Sequence, residues 1–169
     1  MSWSEARCSR RVLLLGALLA PAGCGFRLRR STSLGVATLA LAGQGGALRD
    51  ALRRRIEATT ATRVVGDPKQ AQAVLTLLAV NEQQVPMAYN ADGTVAQYQL
   101  VESVRYQLVA AGGAQLLAPT TLQQTSTLSY STGATLAKAN EAQLLFAGMR
   151  DGLIERMLYQ LAAVAGGAH

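Results

Sequence analysis

The chain has 169 residues, a formal net charge of +6, one histidine and two cysteines. The histidine is the terminal His169 and the cysteines are Cys8 and Cys24, which excludes a histidine-based triad, a clustered zinc site and any disulfide beyond position 24. Charged residues make up 15% of the chain, against roughly 25% in ordinary soluble domains, and 13 Gln and 13 Thr carry much of the polarity instead. Such a surface is covered by a polar partner at less desolvation cost than a charged one; it is equally compatible with a solvated surface of unusual composition.

The first 23 residues read as an export signal and not as fold. Arg7, Arg10 and Arg11 form a positive start, Val12 to Ala20 a short apolar run, and Pro21-Ala22-Gly23-Cys24 a small-residue cleavage region. The run is broken by Gly16 and stopped by Pro21, well short of the ~20 residues needed to span a bilayer. Pro21-Ala22-Gly23-Cys24 resembles the bacterial lipobox, with proline in the place of its usual leucine, so Cys24 is the expected lipidation site. Ser9-Arg10-Arg11 also resembles a twin-arginine signal, which bears on the export route and not on the destination. Cleavage before Cys24 leaves 146 residues, 13 basic and 9 acidic side chains, and a charge of +4. That mild basicity suits an anionic partner without identifying one.

The domain boundaries follow: a signal at 1–23, a basic tether at 24–33 and one domain at 34–169. Val36 to Ala42 reads as a strand, ended by the glycines of 43–46. Leu48, Ala51, Leu52 and Ile56 recur at helical spacing over Ala47 to Thr59, with Arg49, Arg53, Arg54 and Glu57 opposite. The Arg53-Arg54-Arg55 run is either a phosphate patch or, more commonly, a solvated helix face. Ala73 to Gln84 begins apolar on both faces, as a strand beneath helices does, and Asp92-Gly93 marks the turn to the next strand. From Val95 to Val109, Tyr98, Leu100, Val104, Tyr106 and Leu108 share one side, and Gln97, Gln99, Ser103, Arg105 and Gln107 the other. Glu102 falls on the apolar side, a misfit that asks for a basic partner or a place beyond the helix cover. Gln115 to Tyr130 is a Thr- and Gln-rich strand after the Gly112-Gly113 turn, with Pro119 pointing to an edge or to a bulge near its start. A long helix from Ala134 to Val164 closes the domain. Leu145, Met149, Leu153, Met157 and Leu161 line its buried side, and Gly148 and Gly152 allow close approach to the sheet. The expected fold is α+β: a two-layer sandwich of a four-stranded, mostly antiparallel sheet with two helices on one face and the other face open.

No catalytic constellation is legible. The G-x-S-x-G, H-E-x-x-H and P-loop motifs are absent. Thr135-Leu136-Ala137-Lys138 imitates the S-x-x-K spacing by coincidence. Asp151 and Glu155 are expected to be solvated or paired with Arg150 and Arg156. Lys138 lies in the first turn of the last helix, where a cation opposes the helix dipole; it is either an exposed solubilising lysine or a residue kept to hold an anion. The expectation is no enzyme, no cofactor, no metal and no nucleic-acid partner.

Cys24-Gly25-Phe26-Arg27-Leu28-Arg29, Gln97-Tyr98-Gln99-Leu100, and Leu136-Ala137-Lys138-Ala139-Asn140-Glu141 leading into a helix with Met149 together resemble the LptE family. The similarity runs in order along the whole mature chain. It implies an outer-membrane lipoprotein, lipid-anchored on the periplasmic side, that plugs and helps assemble the LptD β-barrel and assists delivery of lipopolysaccharide to the outer leaflet. Gly25 after the lipid-bearing cysteine agrees with outer-membrane sorting. Lys138 matches one of the family's basic residues for lipopolysaccharide phosphates. The other falls at about Ala91, and an arginine of the family's last strand falls near Ser126, so this chain lacks both cations; Arg105 or the Arg53 cluster is the substitute on offer. The competing class is a periplasmic accessory lipoprotein of a phospholipid or ABC transporter.

Overall fold

A computed structural model of the chain describes residues 33–166. The expected signal, Cys24 with most of its tether, and His169 lie outside the described residues. The order is β1 (Thr38–Gly43), α1 (Gly46–Thr59), β2 (Arg63–Val65), a short 3-10 turn (Pro68–Gln70), β3 (Ala73–Tyr89), β4 (Val95–Ala110), β5 (Gln115–Ser129) and α2 (Thr135–Gly166). The α+β architecture is the expected one, with the two helices on one face. The sheet has five strands and not four, ordered β2-β1-β3-β4-β5.

The additional strand is β2, and it makes the sheet mixed. It pairs parallel to β1, with Thr38 opposite Arg63, and β1 in turn pairs parallel to β3, with Leu39 opposite Ala73. A parallel pair needs a crossover, and α1 is that crossover. Three residues are too short for an alternation to be seen in the sequence. What holds β2 is long-range: the Arg63 amide donates to the Ala37 carbonyl at 2.9 Å and the buried Thr62 hydroxyl to the Val36 carbonyl at 2.7 Å.

Helix α1 buries Leu48, Leu52 and Ile56, spaced four apart as its apolar stripe requires. Its last carbonyls are closed by threonines: the Thr59 hydroxyl donates to Arg55 O at 2.7 Å and the Thr60 hydroxyl to Ile56 O at 2.8 Å. At the other end of the β1–α1 link, Gly43 has φ +87°, and a Cβ there would lie 2.1 Å from the Leu77 carbonyl oxygen. Only glycine lets β1 finish so close against β3.

Beyond Leu77, strand β3 loses β1 as a neighbour and runs on as an edge to Tyr89, five residues further than its sequence pattern showed. Pro86 lies on this edge, where a missing amide donor is tolerated. A register shift between Leu77 and Ala79 sets Glu82 opposite Glu102 and Val80 opposite Val104. Both β3–β4 and β4–β5 are antiparallel hairpins, as the turn signals indicated.

Between sheet and helices lie two apolar clusters. The larger joins Leu39, Leu75, Leu77, Val104 and Tyr106 to α1 and to Leu153, Ile154, Met157 and Leu161 of α2. The smaller comprises Leu100, Leu128, Ala142, Phe146 and Met149, with Tyr98 and Leu145 packed against it. Full burial of such side chains contributes about 1.5–3 kcal/mol each, so the larger cluster dominates the stability. Within it the Tyr106 hydroxyl donates to Gln160 Oε1, and burial pushes its pKa up to about 12.

Candidate functional site

Three regions carry the polar chemistry of the domain: the layer between the two clusters, the open sheet face, and the end where α2 begins. Glu102, only 1% exposed, sits in the first. Cross-strand pairing puts Glu82 of β3 on one side of it and Gln124 of β5 on the other. Arg150 of α2 comes down onto this row, with Nη2 donating to Glu82 Oε1 at 2.6 Å and Nε 3.4 Å from Glu102 Oε1. The second contact is a charge contact without hydrogen-bond geometry, and both Glu102 oxygens lack a protein hydrogen-bond partner. Burial pushes the Glu102 pKa up to about 7, the Arg150 guanidinium opposes the rise and the Glu82 carboxylate adds to it. The misfit at Glu102 is thus met by a basic residue beneath the helix cover.

Arg150 thus runs inward; of the carboxylates expected to be solvated or paired with Arg150 and Arg156, Asp151 is exposed and Glu155 has a different partner. Glu155 is taken by Arg55, which crosses from α1, and Arg156 donates to the Gln123 carbonyl at 3.3 Å. The arginine run of α1 is divided: Arg53 is exposed, Arg54 lines a groove with Asp151, and Arg55 is spent on Glu155. Arg54 and Arg55 line that groove together, beside the Asp151 carboxylate, while Arg53 stands apart from it. Gly152 does allow close approach, since a Cβ there would meet the Gln124 amide at 2.6 Å, but Gly148 faces open space.

On the open face, the outward positions of β4 and β5 carry Gln97, Gln99 and Ser103 beside Gln123, Thr125 and Thr127. Asn81 and Gln83 extend it on β3. Arg105, exposed on β4 opposite Thr121, is the charge on the outward side of β4 and β5; Arg63 of β2 is exposed on the same sheet face, and Val85 and Val101 lie among the polar groups.

Lys138 lies on the helical layer. The chain leaves β5 at Tyr130, whose amide donates to Ala96 O at 2.9 Å and whose ring packs edge-on against Tyr98 with centroids 5.4 Å apart. A 3-10 turn (Thr132–Ala134) then leads into α2, placing Lys138 in its first turn near the β3–β4 hairpin. Lys138 Nζ donates to Glu141 Oε2 at 2.7 Å, which offsets the unfavourable helix dipole. An ammonium has three donors, so this bond leaves it able to bind an anion. Exposed Met87, Tyr89 and Leu136 lie toward the same end. The hairpin turn at Ala91 carries a carboxylate instead of a cation: the Thr94 hydroxyl and amide both donate to Asp92, holding its pKa below the usual carboxylate range. Ser126 lies on β5 opposite Leu100. Lys138 and Arg105 therefore occupy opposite layers, and the fold does not bring them into one site. The sequence flagged Glu102 but not its partners, because Glu82 and Arg150 are 20 and 48 residues away and ordinary in their own elements.

A family model for lipopolysaccharide assembly, LptE, matches residues 28–161. The chain belongs to the LptE family. It is 31% identical over 159 residues to the LPS-assembly lipoprotein LptE of Yersinia enterocolitica serotype O:8 / biotype 1B, an alignment covering 90% of this chain and 75% of that protein. The fold is that of a lipoprotein B from Nitrosomonas europaea solved by solution NMR, with a TM-score of 0.73 at 24% identity over 84% of this chain and 93% of the other. The rare lipoprotein B from Shewanella oneidensis gives a TM-score of 0.66 at 21% identity over 77% and 97%. No group of three or more potential metal-ligating His, Cys, Asp or Glu side chains occurs among the described residues of this LptE family member.

Proposed function

We propose that this LptE family member is a non-enzymatic, lipid-anchored protein of the outer membrane. Residues 1–23 are removed, Cys24 carries the lipid, and the domain at 34–169 fills the lumen of the LptD β-barrel on the periplasmic side, helps assemble it and assists lipopolysaccharide delivery to the outer leaflet. The observation that carries this reading is the open sheet face, where Gln, Thr and Ser on β4 and β5 present donors and acceptors with Arg105 as the accompanying charge. A lumen wall of a membrane barrel is itself polar. Uncharged side chains exchange water for such a wall at lower desolvation cost than charged ones.

Lys138 is the proposed contact to lipopolysaccharide phosphate, with its Glu141 bond as the local counter-charge. Arg105, on the other layer, serves a second phosphate or the lumen wall and not the phosphate at Lys138. The likeness of the Yersinia protein, an LPS-assembly lipoprotein, supports the substrate. Co-purification from detergent-solubilised envelopes tests the partnership. A large outer-membrane barrel is expected to come down with the chain; recovery with inner-membrane transporter subunits alone would replace this reading with the transporter-accessory one.

A further inference from the structure

The polar layer does more than fill space. It cuts the core in two along α2: Ala142, Phe146 and Met149 lie on one side with the small cluster, and Leu153, Ile154, Met157 and Leu161 on the other with the large one. Arg150 stands at the boundary, and Gly148 and Gly152 flank it. Each of these glycines weakens a helix interior by about 1 kcal/mol relative to alanine, so the helix is least stiff where its two halves meet. The charges at the boundary do not balance when all are ionised: β3 brings Glu82, β4 brings Glu102, α2 brings Arg150, and β5 brings the neutral Gln124. Two carboxylates directly opposite each other then share one guanidinium, and the inner one is buried without a protein hydrogen bond.

We propose that Glu82, Glu102 and Arg150 form a proton-linked latch on the N-terminal half of α2: with Glu102 protonated the half-helix is seated, and loss of the proton loosens it.

With Glu102 neutral, the Arg150–Glu82 pair is balanced and the layer is closed. Once Glu102 ionises, it competes for Arg150, and Glu82, 43% exposed, turns to solvent more cheaply than Glu102 can. Water drawn to the buried Glu102 carboxylate, with Glu82 released from Arg150, opens the boundary. The half that yields is the one that belongs to the cluster of five buried residues and not the one that belongs to the cluster of sixteen. The loosened segment is the half-helix that contains Lys138. The transition falls near neutral pH, in keeping with a Glu102 pKa of about 7. The latch rests on the domain alone, so its failure and that of the barrel partnership are separate results.

Amide hydrogen exchange of the full chain in detergent, corrected for intrinsic rates, tests it. Protection over residues 138–147 is expected to fall about tenfold or more between pH 5.5 and 8.5, while α1 and residues 153–161 hold theirs. Glu102→Gln should abolish this pH dependence, and Glu82→Gln should move its midpoint to lower pH. An unchanged pH dependence in Glu102→Gln, or equal loss across both halves of α2, overturns the latch. Should Glu102→Gln fail to fold, the carboxyl resonance of Glu102 in the unsubstituted chain decides: a midpoint near 7 that tracks the loss of protection is expected, and a midpoint below 5 sinks the proposal.

Discussion

At Glu102 the cost of a buried carboxylate is set by three neighbours. Its folded pKa of about 7 lies above the ordinary 4.5. Between those values the folded chain binds more protons than the unfolded one, so stability falls as pH rises through that window and levels off above it. Glu102→Gln is therefore expected to leave stability near the native value at pH 5 and to raise it by about 1–3 kcal/mol at pH 8. Urea denaturation at the two pH values checks this. Arg150→Met removes the one cation and is expected to cost about 3 kcal/mol or more at pH 8, because it leaves the carboxylate row uncompensated. Lys138→Glu should weaken lipopolysaccharide capture in a pulldown while association with the barrel persists; undiminished capture would remove Lys138 from the site. The alternation of β4 showed Glu102 as an anomaly and located it on the core side. It could not show the remedy, since pairing across β3 and onto α2 depends on a one-residue register shift at Leu77 and Ala79.

Elements with strong periodicity were legible almost to the residue. The stripe Leu48, Leu52, Ile56 and the β4 alternation set α1 and β4 correctly because burial on one side repeats along them. β2 and the outer part of β3 were not legible for a common reason: each is held by neighbours distant in sequence, and Pro86 argues against a strand wherever an inner position is assumed. The glycines separate by environment. Gly148→Ala meets nothing within 4 Å and is expected to stabilise by about 1 kcal/mol. Gly152→Ala drives a Cβ to 2.6 Å from the Gln124 amide and is expected to be neutral to destabilising by about 1 kcal/mol, as that side chain can shift. Gly43→Ala meets backbone at 2.1 Å with φ +87° and should cost about 2 kcal/mol or more. Thermal melts of the three variants should rank them in that order.

For the whole molecule, composition left two readings open, a surface covered by a polar partner and a solvated surface of unusual composition. Part of its Gln and Thr, including Gln97, Gln99, Gln123, Thr125 and Thr127, lies on one sheet face, opposite the helices. Family membership follows from the match over residues 28–161. The separation of Lys138 from Arg105 was not legible, because it depends on which layer each element joins. The central claim is that the open sheet face is covered by a polar barrel wall. It can be read directly, since the two cysteines of the chain, Cys8 and Cys24, fall before the domain. Thr125→Cys and Thr127→Cys, both on the exposed outward side of β5, introduce thiols for maleimide labelling. Both are expected to label within minutes in the isolated chain and to be at least tenfold slower in intact envelopes that contain the barrel. Equal labelling rates in the two settings would contradict the account.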